Sequence, residues 1–239
     1  MKLQKILFLV ACMGIAATAT FAEEEKFSVE GDTLYYNTEK PGLNRSFVSL
    51  SDAAHFRSLL NMHPEVTRID LHSYGGDAEA GVEIARILSD FNVSTVISGK
   101  CSSSCASIFM AGTKRTLNPG ALLGFHRPEW AVSGLQSFYD RWKDDEGWDT
   151  PFEFAAWVNQ DAMQVAAEVL GVYLAAGVDY SFAIRTLRVP QSDIWYPTRG
   201  ELVSVGVLSP ETLANLNPRL RPVLPPSPTE EVLQLSSLY

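Results

Sequence analysis

The sequence predicts an α/β fold in which parallel strands alternate with helices. Two observations indicate this. Between residues 66 and 126 the hydrophobic pattern changes from strand to helix, to strand, to helix and to strand, an order typical of parallel strands joined by right-handed crossovers. The 239-residue chain is also long enough to bury the core of one such domain.

The elements follow from periodicity and turn residues, taken in chain order. Residues 27–36 alternate around Gly31-Asp32 and predict a β-hairpin. Ser51 is a candidate N-cap for a helix that continues to Leu60. The central unit comprises strands over residues 66–73, 93–97 and 122–126 and helices over residues 78–91 and 103–111.

The rest of the domain is predicted to be helical. Residues 128–150 are polar and rich in aromatic side chains, and we expect them to leave the core as an excursion. Helices are predicted over residues 152–176, 180–188 and 198–205. Thr198 and Glu201 have the spacing of a capping box at the start of the last helix.

The two chain ends have their own compositions. Residues 1–22 contain a short basic region, an apolar stretch and small residues before Glu23, which is typical of a secretory signal peptide and predicts export, most simply to a bacterial periplasm. A lipoprotein signal ending at Cys12 is an alternative. Residues 23–215 are expected to form the domain, residues 216–239 form a proline-rich tail, and no later segment is predicted to span a membrane.

The charge and the pattern of metal-binding residue types and cysteines restrict which partners, cofactors and cross-links the sequence predicts. The formal net charge of −9 argues against nucleic acid or an anionic membrane surface as a partner. No His, Cys or Asp spacing resembles a metal site, and no cofactor is expected. Cys101 and Cys105 bracket Ser103 and could form a disulfide after export, or remain as two buried thiols.

Three segments contain the residues that acyl transfer requires. Ser103 lies where a small-residue turn enters a helix, and the amide of Ser104 belongs to the helix N-terminus. Gly75-Gly76 lets a second backbone segment approach without a side chain. His126 ends a strand and is a plausible base. Each signal alone is weak, but their order along one strand–helix pattern indicates an enzyme.

The same segments resemble the proteolytic subunit of the Clp protease and its relatives in the Clp/crotonase superfamily. The family pattern I-N-S-P-G-G is matched by Leu71-His-Ser-Tyr-Gly-Gly76, and G-x-A-A-S-M-G-A by Gly99-Lys-Cys-Ser-Ser-Ser-Cys-Ala106. M-I-H-Q-P is matched by Gly124-Phe-His-Arg-Pro128, and the closing family segment resembles residues 198–208. The resemblance covers residues 27–208 and implies a ββα spiral of parallel strands with a helical handle-like excursion. Export and the paired cysteines suggest a secreted bacterial branch.

The resemblance also implies roles for individual residues. Ser103 would be the nucleophile and His126 the general base, and the amides of Gly76 and Ser104 would form the oxyanion hole. The family's aspartate falls near Pro190, which cannot act as an acid. Asp193 is the nearest carboxylate and Asp179 the second choice. If neither reaches His126, the site is a Ser–His dyad or is impaired.

The resulting hypothesis is an exported serine peptidase or amide hydrolase that acts on peptides or unfolded protein segments. The residues that resemble the handle, 134–176, imply a possible homo-oligomer. Two alternatives remain open. One is a catalytically impaired binding or assembly module, and the other is a crotonase-type acyl-CoA enzyme, for which export is unfavourable because CoA is cytoplasmic.

Overall fold

The computed structural model describes residues 26–43 and 46–210. The predicted signal peptide, the alternative lipid site at Cys12 and the proline-rich tail all lie outside these described residues. The domain prediction of residues 23–215 therefore stays a prediction at both ends.

A six-stranded sheet forms the centre of the molecule, with β1 to β5 side by side in chain order and β6 paired to β4. β1 and β2 pair antiparallel as a hairpin, and every other pairing is parallel. β4 is long enough to pair with β5 at its start and with β6 at its end. The strands are β1 (Phe27–Glu30), β2 (Thr33–Asn37), β3 (Arg68–Ser73), β4 (Ser94–Ser102), β5 (Arg115–Leu117) and β6 (Leu122–Gly124).

Seven helices are present in the described part of the chain. α1, α2 and α3 pack against one another in turn, and α5 packs against both α2 and α3. The helices are α1 (Leu50–Met62), α2 (Ala78–Phe91), α3 (Ser104–Met110), α4 (Val132–Glu146), α5 (Pro151–Ala175), α6 (Tyr180–Thr186) and α7 (Arg199–Ser204). The predicted mixed α/β class with a largely parallel sheet is confirmed.

Helices α2 and α3 approach each other closely, and this contact places the start of α3. All seven residues of α3 are buried, so the helix lies within the core. A Cβ atom on Gly81 of α2 would lie 2.7 Å from the carbonyl oxygen of Ser104. Only glycine at residue 81 therefore lets the two helices pack at this distance.

Helices α4 and α5 form the expected excursion, the helical handle-like part of the fold. None of the residues of α4 is buried. An aromatic cluster joins the two helices, with the Phe138 ring stacked on the Trp157 ring at 5.4 Å. The other rings of this cluster are Trp130, Tyr139, Trp142, Trp148 and Phe154.

Several local predictions need correction. Helix α1 begins slightly earlier than expected, because Ser49 and not Ser51 is its N-cap and forms a capping box with Asp52. The short strand β5 was not predicted. Thr198 caps α7 through its side chain, but the Glu201 carboxylate is paired with Arg185 at 3.0 Å.

The described residues contain neither a membrane-spanning helix nor a cluster of metal-binding side chains. No helix there is long and apolar enough to cross a membrane. Within residues 26–43 and 46–210, no group of three His, Cys, Asp or Glu side chains is placed to hold a metal ion.

The α2–α3 contact gives a first prediction. Gly81→Ala should lower the free energy of unfolding by about 1–3 kcal/mol, because the added methyl group forces two packed helices apart. Urea unfolding followed by circular dichroism measures this change. Gly171→Ala is the matched control, since residue 171 lies in α5 with no atom within 4 Å of the new Cβ and should gain up to about 1 kcal/mol from helix propensity. Equal effects at both positions would contradict the close approach.

Candidate active site

Ser103 occupies a strained turn between β4 and α3. Its backbone has φ 57° and ψ −129°, and only one other non-glycine residue in the described chain, Asn92, has a positive φ. Its amide donates a hydrogen bond to the carbonyl of Gly124, at 3.2 Å. Such strain persists only where the surroundings enforce it. A sharp strand-to-helix turn of this kind presents a serine side chain at the end of a sheet.

Gly75 makes the turn possible by leaving room beside it. A Cβ atom at residue 75 would lie 2.6 Å from Ser103 Cβ and 2.7 Å from the Ser102 carbonyl oxygen. Gly75 also has φ 102°, a conformation that disfavours residues with side chains. The Gly-Gly pair therefore brings the backbone after β3 into contact with the serine turn.

His126 is carried to the same place by β6. This strand pairs in parallel with the last residues of β4, with Gly124 opposite Ser102. Phe125 then exchanges two backbone hydrogen bonds with Trp195, of 2.9 and 3.0 Å. Since Ser103 directly follows β4 and His126 lies two residues beyond β6, the parallel pairing places both at one edge of the sheet.

The ring of His126 has a defined orientation. Its Nδ1 atom lies 2.7 Å from the backbone carbonyl oxygen of Arg127. Because a carbonyl oxygen can only accept, the proton of the neutral ring is on Nδ1. The lone pair is then on Nε2, which is the form that a general base needs.

A large cavity brings the predicted site residues together. It has a volume of about 1070 Å³, and its lining includes Gly76, Ser103, Ser104 and His126. Ser103 and His126 are both half-buried. Their side chains share no hydrogen bond in the described structure, but both line the same cavity.

The two predicted oxyanion donors are unpaired. Neither the amide of Gly76 nor that of Ser104 donates a hydrogen bond to any residue in the described ranges. Both residues line the cavity. Unpaired amides at such a site are suited to stabilise an oxyanion.

The structure shows no hydrogen bond from His126 to Asp193 or to Asp179. Asp193 is exposed, and its carboxylate accepts a hydrogen bond from the amide of Ile194 at 2.8 Å. Asp179 caps α6, accepting from the amides of Ser181 and Phe182. Neither carboxylate shares a hydrogen bond with His126, whose Nδ1 is engaged by Arg127.

A disulfide joins Cys101 to Cys105, with their Cα atoms 5.3 Å apart. Cys101 belongs to β4 and Cys105 to α3, so the link spans the turn that contains Ser103. Both residues are fully buried. Of the two alternatives for these cysteines, the structure has the disulfide.

The cavity has apolar walls and acidic edges. Val165, Val169 and Tyr173 form one stripe of α5 along it, and burial raises the pKa of the Tyr173 hydroxyl. Among the described residues that line it, none is lysine or arginine, and the carboxylates are those of Asp77, Glu79, Glu129 and Asp161. The pKa of Glu79 is raised, first by burial and then by repulsion from Asp161 and Asp77.

Comparison with solved structures places this architecture. The chain superimposes on a mutant of ClpP1 from Listeria monocytogenes with a TM-score of 0.52 over 80% of this chain and 93% of that one. The chain has a ClpP-like fold. Sequence identity over this match is 15%, and no protein-family model and no curated protein sequence matches the chain.

Two parts of the site were missed by sequence reasoning. The first is the Arg127 carbonyl beside the His126 ring, since any residue supplies a carbonyl and the side-chain pattern carries no signal of it. The second is Val48, which pairs in parallel with Gly76. The unassigned stretch before α1 contains Phe47-Val48, and only its apolar character hinted at burial.

The disulfide gives a second prediction. Replacing both Cys101 and Cys105 with alanine should lower the free energy of unfolding by about 2 kcal/mol, the loop-closure entropy of a short cross-linked loop. Unfolding with and without dithiothreitol is the measurement. Reductant should destabilise the wild-type protein by a similar amount and leave the double variant unchanged. A reductant effect of equal size on both proteins would show that the disulfide is not its cause.

Proposed function

We propose that the protein is a serine peptidase or amide hydrolase that uses Ser103 as nucleophile and His126 as general base. The observation that carries the proposal is the meeting of four elements at one cavity: the strained Ser103 turn, the His126 ring with Nε2 free, and the unpaired amides of Gly76 and Ser104. The ClpP-like fold is compatible with this activity.

The first half of the reaction forms an acyl-enzyme. Ser103 Oγ attacks the carbonyl carbon of the scissile amide while His126 Nε2 takes the hydroxyl proton. The amides of Gly76 and Ser104 donate hydrogen bonds to the oxyanion of the tetrahedral intermediate. The carbon–nitrogen bond then breaks, and the leaving amine takes the proton from His126.

The second half releases the acyl group. A water molecule attacks the ester carbonyl and gives a proton to His126 Nε2. The oxyanion forms again at the same two amides, and the ester bond breaks. Ser103 Oγ recovers its proton from His126, so the products are an amine and a carboxylic acid and the enzyme is unchanged.

The orientation of His126 makes the proposed machinery a dyad. The Arg127 carbonyl fixes the ring tautomer, which is one of the two tasks of a triad carboxylate. It provides a dipole where the carboxylate would provide a full charge, so it stabilises the imidazolium less. Neither Asp193 nor Asp179 is assigned a role in this mechanism.

Export to the periplasm and self-association are part of the proposal. The Cys101–Cys105 disulfide supports export, because disulfides persist in oxidising compartments. The α4–α5 excursion leaves apolar side chains such as Phe152 and Met163 exposed, at 85% and 67%. A second copy of this chain is the partner we expect at these helices, as the handle-like position suggests.

A fluorophosphonate probe tests the nucleophile. The wild-type protein should be labelled on Ser103, and Ser103→Ala should lose the label because the hydroxyl that His126 is proposed to activate is gone. Gel fluorescence and peptide mass mapping are the measurements. Ser98→Ala is the matched control, since Ser98 is exposed and bonded to Asp70, and it should label as wild type does. Label on any other residue, or label that survives in Ser103→Ala, would show that the assignment is wrong.

Three further variants separate a dyad from a triad. His126→Ala should lower kcat/KM on a fluorogenic peptide by about a thousandfold or more. Asp193→Asn and Asp179→Asn should each stay within about twofold of wild type in kcat, because the partners of their carboxylates in the described part of the chain are backbone amides. A large loss of kcat in Asp193→Asn, with stability unchanged, would restore the triad.

Charge at the cavity points to the kind of peptide that fits. Glu129 is paired with Arg127, Asp161 accepts from the Trp130 indole, and Asp77 caps α2. Glu79 forms no ion pair with a described residue. The cavity therefore favours peptide segments with lysine or arginine over acidic ones, because a cation relieves the repulsion among these carboxylates.

This preference should depend on pH. We expect the ratio of kcat/KM for a lysine-containing peptide to that for its glutamine counterpart to fall as pH falls. The raised pKa of Glu79 means that the carboxylate is protonated, and its attraction lost, at a higher pH than for an ordinary glutamate. Glu79→Gln should lower the ratio at neutral pH and flatten its pH profile. A ratio that is the same in both proteins at every pH would contradict the role of Glu79.

The second candidate function is a non-catalytic binding or assembly module. The observation in its favour is that Ser103 and His126 share no hydrogen bond in the described structure. Such a module would bind peptides in the same cavity but would take no fluorophosphonate label under any condition. Peptide affinity by calorimetry, together with the labelling result, separates the two functions.

A further inference from the structure

A fully buried ionic cluster lies behind the wall of the cavity. Lys26, Tyr36 and Asp52 are all 0% exposed. Lys26 Nζ donates to both carboxylate oxygens of Asp52 at 2.9 Å, and the Tyr36 hydroxyl donates to Asp52 Oδ2 at 2.7 Å. None of the three residues lines the cavity, and the proposed chemistry does not use them.

The cluster holds the backbone on both sides of Val48. Lys26 Nζ also donates to the carbonyl oxygen of Phe47 at 2.9 Å. The amide of Ser49 donates to Asp52 Oδ2, also at 2.9 Å. The residues before and after Val48 are therefore each bonded to one member of the same ion pair.

Val48 in turn holds the backbone on both sides of Gly76. Its amide donates to the carbonyl of Gly75, and its carbonyl accepts from the amide of Asp77, both at 2.9 Å. In a parallel bridge of this kind, the residue between the two bonded neighbours, here Gly76, directs its own amide away from the partner strand. The N–H of Gly76 is thus directed away from Val48, and Gly76 lines the cavity.

We infer that the Lys26–Asp52 ion pair is a positioning element for the oxyanion hole, acting through Val48 on the amide of Gly76. The catalytic consequence of this inference rests on the proposed function. The two sets of hydrogen bonds, from the ion pair to the residues beside Val48 and from Val48 to the residues beside Gly76, are present in the structure whatever the function is. Lys26 and Asp52 touch no substrate and are positioning residues. Their role is to keep one amide pointed at a place where charge develops during the reaction.

The chemistry of the pair fits such a role better than a role in stability. Burying two charges carries a large desolvation penalty, and apolar residues of similar volume often give equal or greater stability. An ion pair, however, offers hydrogen bonds of fixed direction to backbone groups. Apolar side chains would leave the Phe47 carbonyl and the Ser49 amide without the partners they have here.

The kinetic test compares two variants, both of which alter the hydrogen bonds made to the Asp52 carboxylate. Asp52→Asn removes the charge that orients Lys26, whereas Tyr36→Phe removes one hydrogen bond to Asp52 and leaves both tethers of the Val48 segment in place. In Asp52→Asn we expect kcat on a fluorogenic peptide to fall about tenfold with KM within about twofold, since the oxyanion contact acts in the transition state. In Tyr36→Phe we expect kcat to stay within about twofold, even where stability falls.

Hydrogen–deuterium exchange supplies a readout that does not need activity. In Asp52→Asn the amides of Val48 and Asp77 should exchange faster than in wild type, while in Tyr36→Phe they should not. The double variant Lys26→Met/Asp52→Leu removes both charges at once and avoids an unpaired buried ion. It should fold, as judged by circular dichroism, and show the same faster exchange and reduced kcat.

The outcomes are distinct. Unchanged exchange at Val48 and Asp77 in both charge variants, or a kcat loss in Tyr36→Phe as large as in Asp52→Asn, would overturn the inference. Faster exchange in the charge variants only would support it. A wild-type protein without label or peptidase activity would end the proposed function, and the exchange measurement would still decide whether the ion pair holds the Gly76 segment.

Discussion

The contact between Gly75 and the Ser102–Ser104 turn is the constraint on which the rest of the site depends. No side chain fits between these backbones, since a Cβ at residue 75 would lie 2.6 Å from Ser103 Cβ. Because the contact joins the end of β3 to the end of β4, one approach brings together Ser103, the proposed nucleophile, and the amides of Gly76 and Ser104, the proposed oxyanion donors. Ser103 keeps a backbone conformation that it would not adopt alone, and strain of about 1–3 kcal/mol is offset by the buried helix that follows.

The histidine shows how a backbone group can take over part of a side chain's task. The Arg127 carbonyl holds the His126 ring in the tautomer that a base requires, and it does so whatever residue stands at position 127. A carbonyl dipole stabilises the charged ring less than a carboxylate does. The proposed dyad should therefore be a slower catalyst than a triad on the same fold, which is consistent with a site whose two aspartate candidates are bonded elsewhere.

The hydrophobic periodicity and the small residues of the sequence were enough to predict the elements whose conformation is set by nearby residues. The alternation of strand and helix, the bounds of α2 and the serine turn all follow from periodicity and small residues, and the structure has them. Strand β5 has three residues, too few for a periodic signal, and its pairing with β4 is a tertiary contact. The orientation of Asp193 could not be predicted either. Its amide donates a hydrogen bond to the carbonyl of Pro190, and its carboxylate accepts one from the amide of Ile194. Sequence proximity to the expected position carried no information about these bonds.

Prediction from the sequence fails most where the site depends on residues that are far apart in the chain. Lys26 lies in the turn before β1, Asp52 in α1 and Gly76 in the loop after β3. Only the folded hairpin and α1 bring these residues together. A lysine before a strand and an aspartate in the first turn of a helix are each ordinary surface features in a sequence. Burial makes them a pair, because neither charge is tolerable in the core without the other. The N-terminal hairpin and α1 thus support the segment around Val48, and the inferred position of the Gly76 amide depends on them as much as on the serine turn.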